Sequence, residues 1–153
     1  MLNFPGKTEK NYMHSLSLSR QLTKFWNHFS LEVEGMFAKH HGAHKHGHQD
    51  YEEYVVAMLL RYDNMPWDQI LQTSIAFGEG FSLTSKPPKQ EVQNRGQSRR
   101  FLNYLTAELT FSLPQYSQLS LVYRVHHRSG VFGIFGGTKG ASDFYLLGLR
   151  YKF

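Results

Sequence analysis

Hydrophobic and polar residues alternate with a period of two along most of this chain. Between Asn11 and Leu22, Leu16 and Leu18 alternate with Ser15, Ser17 and Ser19. Between Asn27 and Lys39, Phe29, Leu31, Val33, Gly35 and Phe37 alternate with Ser30, Glu32 and Glu34. Tyr51–Tyr62 sets Tyr54, Val56, Met58, Leu60 and Tyr62 on one face and Glu53, Val55, Ala57, Leu59 and Arg61 on the other. The same rhythm runs through Gln72–Ser85, Phe101–Leu113, Ser117–His127 and Asp143–Phe153. Repeated alternation over about ten residues is the signature of transmembrane β-strands, one face to lipid and one to the interior. Tyr51–Arg61 has some helical propensity, but its β-branched and aromatic neighbours in the alternating pattern favour a strand.

The connections sort by length. Residues 23–26, 63–71 and 114–116 are short or modest, whereas 40–50, 86–100 and 128–142 read as longer loops. Strict alternation of short and long connections fits a barrel with short periplasmic turns and longer outer loops. The expected fold is all-β: a small antiparallel up-and-down transmembrane β-barrel in a single domain, 1–153. Seven strands are legible, and single-chain bacterial barrels normally have an even number. The N-terminal stretch from Met1 also lacks a basic region and an apolar signal core. The expectation is therefore an eight-stranded barrel of which about seven strands are present, without signal peptide and first strand.

Composition narrows the class further. No apolar run reaches the roughly 20 residues of a membrane helix. Aromatic residues make up 15% of the chain, and Trp26 and Trp67 stand beside short turns, where an aromatic girdle would lie. There is no cysteine, which excludes disulfides and thiolate metal sites. The three longer connections hold eight Lys/Arg (Lys45, Lys86, Lys89, Arg95, Arg99, Arg100, Arg128 and Lys139) against two acids, Asp50 and Glu91. This places basic charge on the outer face, where an anionic membrane surface lies. No nucleic-acid-binding motif accompanies it, and no nucleic-acid partner is expected.

Parity points to chemistry near the C-terminus. Leu119, Leu121, Tyr123 and Val125 face lipid, and His127 and Ser129 continue that face; Asp143 continues the lipid face of Tyr145, Leu147 and Leu149. The two strands flank one loop and should pair as a hairpin. Histidine, serine and carboxylate then converge on the outer rim as base, nucleophile and orienting acid. Polar side chains on a lipid face are costly and ask for a function. The bland alternative is that all three sit in the headgroup zone. His126 competes as base, but by parity it points into the barrel.

These residues resemble the PagL-type lipid A 3-O-deacylase family of acyloxyacyl hydrolase-like barrels. His127-Arg128-Ser129 matches its His-x-Ser motif near the end of the seventh strand, and Asp143 stands where its acid would fall. Gly130 replaces the Asn that usually follows the serine, and the acid is Asp rather than Glu. The resemblance implies an outer-membrane esterase that removes an acyl chain from lipid A of lipopolysaccharide. It implies His127, Ser129 and Asp143 as catalytic residues, with no metal or other cofactor. Gly130 and Gly133 would offer N–H groups to the oxyanion. Arg128, Lys139, Arg99 and Arg100 would contact substrate phosphates. The C-terminal strand, ending on Phe153 after Tyr151, resembles the signal read by the outer-membrane assembly machinery. The implied location is the bacterial outer membrane, and a homodimer is compatible with it.

Other features have plainer readings. The run His40–His48 offers imidazoles to zinc or copper, but its glycines suggest a mobile loop of weak, adventitious affinity. Glu79 falls on the lipid face by strict parity, and the flanking Gly78 and Gly80 suggest a bulge that turns it inward. Glu32, Glu34, Glu108, Arg61 and Arg124 have inward parity and should form an ion-paired interior. The rival readings are a non-enzymatic small barrel, structural or adhesive, and a soluble β-sandwich.

Overall fold

The computed structural model describes residues 2–3, 10–44, 47–89, 91–92, 98–131 and 141–153. The strands are β1 (Leu2–Asn3), β2 (Lys10–Phe25), β3 (Phe29–His44), β4 (Gly47–Tyr62), β5 (Gln72–Thr84), β6 (Phe101–Ser112), β7 (Leu119–Ser129) and β8 (Ala141–Tyr151). Each pairs antiparallel with its sequence neighbour, and β1 pairs with both β2 and β8 to close the barrel. The seven legible strands are all present as β2–β8. The eighth slot holds only the two residues of β1, so about seven full strands are present, as the pattern predicts. A gap of about 330 Å³ opens along the β2–β8 seam, between Leu16–Ser19 and Leu149–Tyr151, and reaches Glu34, Glu108 and Arg124 inside.

Three connections turn at one end. Phe25 pairs with Phe29 around a tight turn in which Trp26 and Asn27 both have positive φ, 50° and 56°. Such a left-handed pair matches the twist of the flanking strands. Residues 63–71 are held by Asp68, whose carboxylate accepts from the Met65 and Thr73 N–H groups. A 3-10 turn at Pro114–Tyr116 makes the third. At the other end the first connection differs from expectation. Residues 40–44 and 47–50 belong to β3 and β4, which run in unbroken register from Phe29↔Tyr62 to His44↔Gly47. The His40–His48 stretch is therefore mostly paired sheet rather than a long loop. Near this end Lys39 bridges Asp50 and Glu52 at 2.6 and 2.9 Å. The Asp50 and Glu52 carboxylates raise the Lys39 pKa, and Lys39 in turn lowers that of Asp50.

The barrel wall is inverted relative to a soluble protein. Leu16, Phe77 and Leu149 stand outward at 78%, 63% and 70% exposure, whereas Glu32, Glu34, Glu108, Arg61 and Arg124 are buried inside. An apolar exterior around a polar, filled interior is the transmembrane-barrel arrangement. Arg61 Nε donates to Glu32 Oε1 at 2.8 Å and its Nη2 to Glu108 Oε1 at 2.7 Å. Arg124 Nε donates to Glu108 Oε2 at 2.9 Å and its Nη1 to Glu34 Oε1 at 2.7 Å. Arg150 Nη2 joins at Glu32 Oε2, 3.1 Å. Three carboxylates thus balance three guanidiniums. Removing one partner would leave buried charge uncompensated, a loss of about 3–5 kcal/mol. Glu108→Ala, which takes one carboxylate partner from both Arg61 and Arg124 and leaves three guanidiniums on two carboxylates, is expected to lower the unfolding free energy, read from a urea titration of the heat-modifiable barrel on a gel, by that amount. Replacing an exposed acid such as Asp50 by Ala should leave the midpoint nearly unchanged.

A second interior layer lies toward the outer end. His40 Nε2 donates to Glu53 Oε2 at 2.7 Å and its ring stacks on Tyr51. His126 Nε2 lies 3.2 Å from the other Glu53 oxygen. His40, read from the sequence as part of a mobile loop with at most weak, adventitious metal affinity, is thus a buried interior residue. Its neighbour His41 faces outward and stacks on His14 at 4.9 Å. Among the described residues no three His, Asp or Glu side chains converge at metal-binding spacing.

Candidate functional site

The site is built by the β7–β8 pairing. His127 lies directly opposite Asp143, and Ser129 opposite Ala141. His127 Nδ1 donates to Asp143 Oδ1 at 2.5 Å, on the outer wall, with side chains 33% and 55% exposed. A carboxylate on Nδ1 fixes the tautomer that leaves the other nitrogen, Nε2, as the base. Ser129 shares this face and ends β7, half-buried. Alternate residues of a strand stand about 6.6 Å apart, so the serine meets the imidazole only when the two side chains lean together. In the resting geometry, and among the described residues, Ser129 makes no hydrogen bond to His127. His126 points inward and is fully buried, as its parity requires.

The backbone changes course just after the serine. Gly130 is buried, and Val131 adopts a φ of 46°, in the left-handed region. A β-branched residue is a rare occupant there, and such strain clusters at sites whose geometry is fixed by function. Nothing in the sequence pattern signalled Val131. Gly133 and Lys139 lie outside the described residues.

Arg128 corrects an expectation. It sits between His127 and Ser129 in sequence, so it points to the opposite side, into the barrel, and is 1% exposed. Its Nη1 donates to both Glu91 oxygens at 2.6 Å, its Nε to Ser82 Oγ at 2.9 Å, and its Nη2 to the Arg99 and Arg100 carbonyls at 2.6 and 2.8 Å. No donor remains for a substrate phosphate. The pairing ties the β5–β6 connection to the end of β7. Glu91 also accepts from Ser142 of β8 at 2.9 Å and from Ser98 at 2.5 Å. Arg128 therefore braces the strand end that carries His127 and Ser129. Arg99 and Arg100 are exposed on the same rim.

Glu79 corrects another. The β4–β5 and β5–β6 registers run without a bulge at Gly78 or Gly80, and Glu79 stays on the outer wall. There it accepts from Asn103 Nδ2 at 3.1 Å. Asn103 lies directly opposite Ser129. Its outward parity with Leu105 and Ala107 was visible in the sequence and could have drawn attention to it.

An apolar groove of about 310 Å³ runs down the wall from His127, lined by Phe77, Leu105, Ala107 and Val125 over the backbone of Gly78 and Thr106. Ala107, flanked across the strands by Phe77 and Val125, forms its floor.

No protein-family model matches the sequence, and no curated protein is similar to it by sequence. Among solved structures the chain is similar to the crystal structure of the outer membrane enzyme PagL. The TM-score is 0.67 at 13% identity, over 99% of this chain and 96% of that one. The likeness carries the barrel fold.

Proposed function

We propose that this protein is an esterase of the bacterial outer membrane that removes an ester-linked acyl chain from lipid A of lipopolysaccharide. The observation that carries the reading is the His127–Asp143 hydrogen bond on the outer wall beside Ser129. The likeness to an outer membrane enzyme of the same fold and the His-x-Ser resemblance both support it. A histidine–carboxylate pair facing hydrocarbon or headgroups is costly unless it works there.

The chemistry follows the activated-serine scheme. His127 Nε2 takes the proton of Ser129 Oγ as the oxygen attacks the ester carbonyl. Asp143 holds the imidazole in place and stabilises its charge. N–H groups at Gly130 and Gly133 stabilise the tetrahedral oxyanion. His127 returns its proton to the leaving alkoxide, and water then releases the fatty acid from Ser129. Arg99, Arg100 and Lys139 meet lipid phosphates at the rim. The C-terminal strand addresses the chain to the outer-membrane assembly machinery. The competing reading, a structural or adhesive barrel without activity, leaves the outward His127–Asp143 pair unexplained.

The groove beside His127 suits an acyl chain lying along the wall. Ala107→Trp fills its floor and leaves His127, Ser129 and Asp143 themselves unaltered. In detergent micelles this variant is expected to lose about tenfold or more in kcat/KM on decanoyl esters relative to acetyl esters, since pocket contacts with a chain set that ratio. An unchanged chain-length ratio would refute the groove's role, and absence of any esterase activity in the wild-type barrel would refute the function.

A further inference from the structure

On β5–β8, above Thr73 at the inner end, the outward residues up to the rim are apolar except in one patch. It holds Glu79, Asn103, His127, Ser129 and Asp143. The registers set them in two adjacent rows: Glu79, Leu105, His127 and Asp143 in one, Phe81, Asn103 and Ser129 in the next. The catalytic proposal uses only the β7–β8 half. The β5–β6 half is equally unusual for a lipid-facing wall and equally in need of a reason.

Asn103 is 5% exposed. Its amide nitrogen donates to Glu79 at 3.1 Å, while its oxygen Oδ1 is buried with no partner among the described residues. A carboxylate oxygen accepts hydrogen bonds, so the nitrogen and not the oxygen must face Glu79. The other end of the planar amide, Oδ1, is thereby left for a second partner, and Asn103 stands directly opposite Ser129 of β7. A buried acceptor left without a donor is destabilising, and native structures rarely keep one without a use.

We infer that Asn103 Oδ1, oriented by Glu79, is a specificity-determining acceptor for a hydroxyl or amide N–H carried beside the scissile ester. The inference rests on the reading of Ser129 as nucleophile. A substrate donor one or two atoms from the ester oxygen satisfies the orphaned acceptor as the carbonyl reaches Ser129. An ester lacking that donor leaves the oxygen desolvated and unpaired, the situation in which enzymes discriminate most sharply. Glu79 acts through Asn103, as a positioning residue.

Two esters that differ only in the donor provide the test: 2-hydroxyethyl decanoate and 2-methoxyethyl decanoate, hydrolysed by the detergent-folded barrel. The wild type is expected to favour the hydroxyl ester by about tenfold or more in kcat/KM. Asn103→Ala should bring the ratio to within about twofold of unity. Glu79→Gln should lower it too, because a glutamine amide can donate to Asn103 and let its amide turn over. The ratio is internal to each variant, so a change in folded fraction does not move it. A wild type without preference, or an Asn103→Ala variant that keeps the preference, overturns the inference while leaving the esterase intact. A ratio that falls in Asn103→Ala but not in Glu79→Gln overturns the role of Glu79. If neither ester is cleaved, or Ser129→Ala cleaves both as the wild type does, the esterase reading fails and the inference with it.

Discussion

Ser129→Ala is expected to reduce ester hydrolysis by a factor on the order of 10⁴–10⁶ in kcat, with little change in the stability of the barrel. The size follows from the proposed scheme, in which the oxygen that forms the acyl-enzyme is lost outright; removing a nucleophile from comparable triads has effects of that order. Stability should hold because Ser129 ends β7 half-exposed, its hydroxyl makes no hydrogen bond among the described residues, and its backbone pairing is untouched by the substitution. Initial rates on decanoyl esters, alongside the heat-modifiable shift on a gel, separate the two effects. A folded Ser129→Ala barrel with the wild-type rate would remove the nucleophile from the account.

Asp143→Asn carries the second largest expectation. Asp143 Oδ1 accepts from His127 Nδ1 at 2.5 Å. An asparagine amide can present its nitrogen instead, favour the wrong tautomer and leave Nε2 protonated. Loss of the orienting acid in buried triads lowers kcat by about 10⁴. Here Asp143 is 55% exposed, and water takes over part of its task. A loss of about 10²–10⁴ in kcat is therefore expected, with KM on decanoyl esters changed by less, since the groove proposed for the chain is lined by Ala107 and Val125 and not by Asp143. A KM effect as large as the kcat effect would point to a binding role for Asp143 instead.

The reach of the sequence follows from what parity can and cannot encode. In a barrel, one bit per residue decides inside or outside. The strand pattern alone therefore put Glu32, Glu34, Glu108, Arg61 and Arg124 into the interior, where the structure has them. It also brought His127 and Asp143 together, because a hairpin with known faces fixes which side chains converge. Arg128 was misread for an instructive reason. Counting charges over a loop ignored the strand beneath it, and a residue between two outward ones must point inward. The His40–His48 run read as a loop because its glycines and lysine resemble a connection. Continuous pairing with β4, together with the inward bond of His40 to Glu53, overrides that local preference. Glu79 read as a bulge because an acid facing lipid looks like an error, and its partner Asn103 is 24 residues away in sequence. Long-range partners of this kind, like the Arg128–Glu91 brace, lie beyond any local pattern.

The central claim concerns the outer wall: Ser129, His127 and Asp143 together cleave an acyl ester of lipid A. Mass spectrometry of lipid A tests it most directly, on outer membranes from a lipopolysaccharide-producing strain making either the wild-type barrel or Ser129→Ala at equal folded abundance. The account predicts lipid A lighter by one acyl chain with the wild type and unaltered lipid A with Ser129→Ala. Equal loss of the chain in both strains, or intact lipid A in both, would contradict it.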